Sequence, residues 1–148
     1  MNFLYELTHR RLVALIKETD EKVNNTKLLG FFSSEEKCRE VISLYLEQPG
    51  FKDFPESFII TKVEADINDF NDIAGKFKNS VYYLSHEWYD GEYDIVSVLG
   101  YYSTFEKAQK AEMQYRLEPE LQNHQNGFVI DEYKIDEMEW KEGFSFDE

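Results

Sequence analysis

Leu28-Leu29-Gly30-Phe31-Phe32-Ser33-Ser34 recurs seventy residues later as Val98-Leu99-Gly100-Tyr101-Tyr102-Ser103-Thr104. The same offset places Glu36-Lys37 on Glu106-Lys107, Tyr45 on Tyr115 and Pro49 on Pro119. It also places Phe58-Ile59-Ile60 on Phe128-Val129-Ile130, Asp66 on Asp136 and Phe70 on Trp140. Residues 20–70 thus align with residues 90–140 without a gap, the signature of a duplicated unit. Upstream the offset changes. Tyr5-Glu6-Leu7-Thr8-His9 matches Tyr82-Tyr83-Leu84-Ser85-His86 at 77 residues, which puts about seven extra residues into 10–22. An ungapped pairing of residues 12–17 with 82–87 keeps the alternation but loses the Tyr-x-Leu-[Ser/Thr]-His match.

Each copy reads as strand, strand, helix, strand. Residues 81–87 are β-rich, Tyr89-Asp90-Gly91-Glu92 has the chemistry of a hairpin turn, and residues 95–102 form the return strand. Gly30 and Gly100 interrupt equivalent strands, where an isolated glycine marks a bulge or a close backbone approach. Ser33-x-x-Glu36 and Ser103-x-x-Glu106 have the spacing of capping boxes. Cys38, Val41, Ile42 and Tyr45 then recur at helical spacing on one stripe, as do Ala108, Ala111 and Tyr115, with Glu112 standing where Ile42 would. Pro49 and Pro119 end both helices. The third strands, residues 58–66 and 128–136, open on three apolar residues, the pattern of a strand buried on both faces at its start. Ile67, Phe70, Ala74 and Phe77 predict a short amphipathic helix between the copies.

The expected fold is therefore α+β: two tandem ββαβ repeats forming a pseudo-twofold, mainly antiparallel sheet with helices on one face. The first repeat covers residues 1–66, the linker 67–80, and the second repeat with its acidic tail 81–148. A unit of this size buries too little surface to be secure alone, so the two copies are expected to pack together.

The 148 residues carry sixteen Lys and Arg against thirty Asp and Glu, a formal charge of −14. Such an excess repels phosphate backbones and argues against nucleic acid as a partner. Twelve Phe, ten Tyr and two Trp argue against disorder, which requires low hydrophobicity as well as high charge. Apolar runs fall far short of a bilayer span, so no membrane partner is expected. A single cysteine, Cys38, forms no internal disulfide, and the amino-terminal residues lack the features of a secretory signal. Both point to a cytoplasmic location.

His9 and His86 are equivalent and follow similar strands, so they could line a groove between the copies as ligands or bases. The plainer account is a strand-end histidine bonded to backbone. The segment beginning Asp66-Ile67-Asn68 opens like a calcium loop, but Phe70, Asn71 and Phe77 stand at its fifth, sixth and twelfth positions, and Asp66 is better explained as a helix N-cap. Zinc lacks a sufficient set of Cys and His ligands, and Cys38 lies on an apolar stripe. No phosphate loop or nucleophile elbow occurs. The expectation is no catalytic residue, no metal and no cofactor. The copy-two hairpin is different: Trp88, Tyr89 and Tyr93 stand beside Asp90, Glu92 and Asp94. Acids that steer and aromatics that bury suit the surface of a protein that binds a basic protein.

The Tyr-x-Leu-[Ser/Thr]-His, Leu-Gly-[Phe/Tyr]-[Phe/Tyr]-Ser-[Ser/Thr]-x-Glu-Lys and Trp140-x-x-Gly143-Phe144 motifs resemble those of a family of small uncharacterised bacterial domains, present here twice. Copy one departs from the last motif, with Phe70-Asn71-Asp72-Ile73-Ala74 in its place. The resemblance implies no enzyme activity and supplies no catalytic residues. By analogy with small acidic immunity proteins, the expected function is binding and neutralising a basic protein partner. The alternative is a small-ligand sensor or adaptor using a groove between the repeats.

Overall fold

The alternation and helical spacing resolve into eight main elements in the computed structural model, which describes residues 2–16, 21–67 and 75–144. They are β1 (Phe3–Ile16), β2 (Glu21–Phe32), α1 (Glu35–Tyr45), β3 (Phe58–Glu64), β4 (Ser80–Tyr89), β5 (Asp94–Tyr102), α2 (Phe105–Tyr115) and β6 (Phe128–Lys134). A single 3-10 turn, Phe51–Asp53, follows α1. The protein is α+β. Its strands form two three-stranded sheets rather than one, ordered β2-β1-β3 and β5-β4-β6, with antiparallel pairing between β1 and β2, β4 and β5, and β4 and β6.

The β1–β2 and β4–β5 hairpins share a strand register. Tyr5 lies opposite Phe32 and Leu7 opposite Gly30, while Tyr82 lies opposite Tyr102 and Leu84 opposite Gly100. These are the partners required by the 77-residue offset. In both hairpins the register shifts immediately after the Leu–Gly pair, and Gly30 and Gly100 have φ of +148° and +151°. A Cβ on Gly100 would lie 2.6 Å from the Tyr102 hydroxyl, so the bulge needs glycine for room as well as for backbone freedom. The β1–β2 hairpin is the longer of the two and continues to the Ile16–Glu21 pair.

Each helix presents the expected stripe. Cys38, Val41 and Tyr45 are buried on α1, Ala108 and Ala111 on α2. Their caps lie one residue later than the capping-box spacing predicts. Ser34 and Thr104 are the N-caps, accepting from the Lys37 and Lys107 N–H groups at 3.1 and 3.2 Å. Ser33 and Ser103 are engaged elsewhere. Asp136 accepts from the Ser33 amide at 2.8 Å and from its hydroxyl, and Asp66 accepts from the Ser103 amide and hydroxyl at 2.8 and 2.7 Å. Both aspartates have left-handed backbones, φ +67° and +58°, so the third strands end before them. Asp66 therefore anchors the entry to α2; the residues it would cap in a linker helix lie outside the described residues. Most of the helix expected around residues 67–78 lies outside the described residues.

The apolar openings of the third strands are less buried than expected. Ile59 and Val129 are 40% and 44% exposed, because β3 and β6 are edge strands and one of their faces is open here.

The chain divides into two compact units, each discontinuous in sequence. One contains residues 1–4 and 63–135, the other residues 5–62 and 136–148. In the unit built on β4-β5-β6, Leu84, Leu99, Tyr102, Ala108 and Ala111 form the core. In the unit built on β1-β2-β3, the core gathers Leu7, Leu29, Phe32, Cys38, Val41, Tyr45 and Phe51 together with Phe144 from the distant carboxy-terminal segment. That segment follows β2: the Asp136 N–H donates to the Phe31 carbonyl and the Glu139 N–H to the Leu29 carbonyl, both at 2.8 Å.

Candidate functional site

The two equivalent histidines occupy equivalent positions, each within its own unit. His9 is fully buried, with Nε2 3.1 Å from the Phe54 carbonyl and Phe51 and Phe58 rings 4.9 and 4.8 Å away. His86 is 1% exposed, with Nε2 2.6 Å from the His124 carbonyl and the Phe128 ring at 4.6 Å. A ring nitrogen against a carbonyl must donate, which fixes the Nε2–H tautomer in a neutral imidazole. Nδ1 of each ring is buried without a hydrogen-bond partner among the described residues. Burial holds the His9 pKa below its ordinary value, with Lys27 and Arg11 adding to the effect against the opposing Phe54 bond. Each histidine thus ties a strand to the loop ahead of the third strand, the backbone-bonded role.

Cys38 is a buried thiol whose pKa is pushed up to about 11, chiefly by loss of solvent.

The β4–β5 hairpin brings most of the acidic and aromatic candidates to one tip. Asp90 accepts from the Glu92 and Tyr93 amides at 2.8 and 2.7 Å, closing the turn through its side chain. Those two backbone bonds hold its carboxyl below the usual range. The Tyr89 hydroxyl donates to the Gly91 carbonyl at 2.9 Å, so this 64%-exposed ring is oriented. Tyr93, Glu92 and Asp94 are also exposed. Trp88 stands apart. It alternates onto the other face of β4, half-buried and stacked on His124 with ring centres 3.8 Å apart.

The register extends this surface along the sheet. Val96 lies opposite Glu87, and Val98 and Val129 flank Ser85 from either side. Val96 and Val98 are 58% and 50% exposed. Sequence reasoning passed over these valines, although the unalternated run Ile95-Val96-Ser97-Val98 on an edge strand was the available signal. Residues 81–105 contain four acids and no lysine or arginine. The face thus combines exposed apolar side chains with negative charge uncompensated within its own strands.

On the other side of β5, next to the end of α2, Ser97, Leu99, Tyr115, Glu118, Pro119, Glu120 and Leu121 line a cavity of about 300 Å³. Among the described residues, no helix is long and apolar enough to cross a membrane.

Compared with known proteins, residues 79–146 match the model of a domain of unknown function, DUF7336. The match covers β4, β5, α2 and β6 together with the segment through Phe144. Neither a curated protein nor a solved structure matches the chain.

Proposed function

We propose that this chain is a non-catalytic acidic binding protein, of the immunity type, that engages and neutralises a basic protein partner. The observation that carries the proposal is the β4–β5 hairpin, where exposed Tyr89, Val96 and Val98 stand among Glu87, Asp90, Glu92 and Asp94 with no cation in residues 81–105. Acids accelerate and orient encounter with a basic surface, and the aromatic and apolar side chains supply burial once contact is made. The ordered turn helps, because Asp90 fixes the tip in advance and less conformational freedom is lost on binding.

The protein arose, on this reading, by tandem duplication of a ββαβ module whose second copy became specialised for binding. Matching bulges at Gly30 and Gly100, matching Asp–Ser anchors and matching buried histidines support that history. The small-ligand alternative draws no support from His9 and His86, whose rings are too buried to line a groove.

The test is binding to a partner captured from the native host and then purified. Affinity should fall steadily as salt rises. Tyr89→Ala and Tyr93→Ala should each weaken binding by about thirtyfold or more, the scale of an interface hot spot. Binding indifferent to salt and to both substitutions refutes the proposal.

A further inference from the structure

The two units share a contact between loop and strand, with its partners exchanged. Arg11 on β1 and Trp88 on β4 are equivalent by register, Arg11 lying opposite Asn25 and Trp88 opposite Ile95, seventy residues further on. Phe54 and His124 are equivalent in the loops ahead of the third strands, and the carbonyl of each accepts from Nε2 of the buried histidine on the neighbouring strand. In the unit of β1-β2-β3 the strand supplies a cation and the loop a ring, with the Arg11 guanidinium 5.3 Å from the Phe54 ring centre. In the unit of β4-β5-β6 the strand supplies the ring. His124 of the loop lies flat on Trp88, with 3.8 Å between ring centres and 15° between planes. A cation over an aromatic face is attracted by the ring quadrupole, most strongly for indole. Arginine keeps its charge at every physiological pH, whereas histidine gains and loses its charge within that range. One contact is therefore permanent, and its counterpart depends on a proton.

The surroundings of His124 let it take up that proton. Its ring is half-buried and, with Trp88 and Glu87, lines an open hollow of about 310 Å³. The exposed Glu87 carboxylate on β4 favours the charged ring. Arg116 opposes it, reaching the loop from the end of α2 through the Gln125 carbonyl at 2.7 Å, but its own charge is paired with Glu112 at 2.9 Å. His86, with its ring centre 6.3 Å away, turns Nε2 to the His124 carbonyl. The loop also meets β4 through the Glu87 N–H, which donates to the Gly127 carbonyl at 3.0 Å. The stack adds a side-chain contact to these two bonds.

We propose that Trp88 and His124 form a proton-sensitive clasp, which holds the loop before β6 against the end of β4 more tightly when His124 is charged. The clasp closes one residue before Tyr89, so the proton also steadies the base of the hairpin that carries the acidic tip. Because the folded chain favours the charged ring, this part of the stability is present at low pH and lost as pH rises. The contribution of His9, whose pKa is lowered, has the opposite sign. The inference concerns the fold of this unit and holds whatever the hairpin binds.

The test is a double-mutant cycle on the full chain, Trp88→Leu against His124→Gln, unfolded by urea at about pH 5.5 and about pH 8.5. The coupling between the two residues should favour folding by about two- to fivefold more at the lower pH, the range of one exposed cation–π contact. The cycle cancels the titration of His9 and of other groups common to its four members. His124→Arg should show at both pH values the coupling that His124 shows only at the lower one, because its charge is permanent, as at Arg11. Hydrogen exchange gives a reading without any substitution. Relative to amides in the middle of β4, and corrected for the intrinsic pH dependence of exchange, the Glu87 amide should be better protected at the lower pH. Equal coupling at the two pH values overturns the proposal, as does equal protection of the Glu87 amide. If a variant fails to fold, the exchange result decides alone.

Discussion

The Asp66 and Asp136 carboxylates are equivalent in sequence but not in load, and this gives a sharp prediction. Asp66 has no exposed side-chain surface and accepts from four donors: the Ser103 amide, the Ser103 hydroxyl, the Gly75 amide at 2.8 Å and the Lys107 ammonium at 3.2 Å. Asp136 is exposed, and the bonds it makes to Ser33 are to the amide and hydroxyl alone. Substitution by Asn leaves the left-handed backbone undisturbed, because Asn tolerates positive φ, so the change isolates the side chain. In Asp66→Asn one amide oxygen must replace two, and the new NH₂ group is turned toward at least one existing donor. A buried donor left unpaired costs about 1–3 kcal/mol, and the lost charge weakens the remaining bonds. The expected loss is about 3 kcal/mol for Asp66→Asn and at most about 1 kcal/mol for Asp136→Asn, where water replaces what is removed. Trp88 and Trp140 lie in different units, so the Trp140→Phe background leaves a fluorophore that reports on the unit containing Asp66. Urea titration followed by Trp88 emission measures the loss for Asp66→Asn, and Trp140 emission in a Trp88→Phe background measures the loss for Asp136→Asn, which lies in the unit of Trp140. Equal losses for the two substitutions would refute the assignment of Asp66 as the buried anchor of α2.

Three further measurements probe the packing. The folded-state pKa of His9 is lowered, so the unfolded chain takes up a proton first as pH falls below the ordinary value of 6.5. Stability should therefore be constant above that pH, decline by up to about 1.4 kcal/mol per pH unit below it, and level off once the folded ring is protonated. His9→Phe should remove this part of the pH dependence, as read by urea midpoints. Gly50→Ala forces a Cβ against the Phe144 ring at a strained φ and should destabilise by more than about 2 kcal/mol, whereas Gly91→Ala, with nothing within 4 Å, should cost only the backbone strain of about 1–2 kcal/mol. Cys38, with its pKa raised to about 11, should react with a thiol reagent only at the rate of unfolding; rapid labelling of the native chain would contradict its burial.

What the sequence made legible was local. The hairpins, helices and third strands followed from alternation and helical spacing, and Gly30 and Gly100 announced their bulges. The helix caps slipped by one residue because the partners of Ser33 and Ser103 are 103 and 37 residues away, beyond anything a four-residue motif encodes. The role of Phe144 was hidden for the same reason. A lone aromatic near the end of the chain has no periodicity to betray the core it completes, although Gly50 kept the space for its ring and Gly143 the close approach to the Pro49 backbone. At the site, the hairpin tip was readable from its turn chemistry. The cavity was not, because Leu99, Tyr115 and Leu121 come from three separate segments.

The carboxy-terminal segment also bears on where the stability of its unit comes from. Burying Phe144 contributes about 2–3 kcal/mol to the unit that holds it, at the outer limit of what a single side chain supplies. Because Gly50 has a left-handed backbone and lies against that ring, the sequence of the α1 exit and the last described residue of the chain are fixed together, although 94 residues separate them.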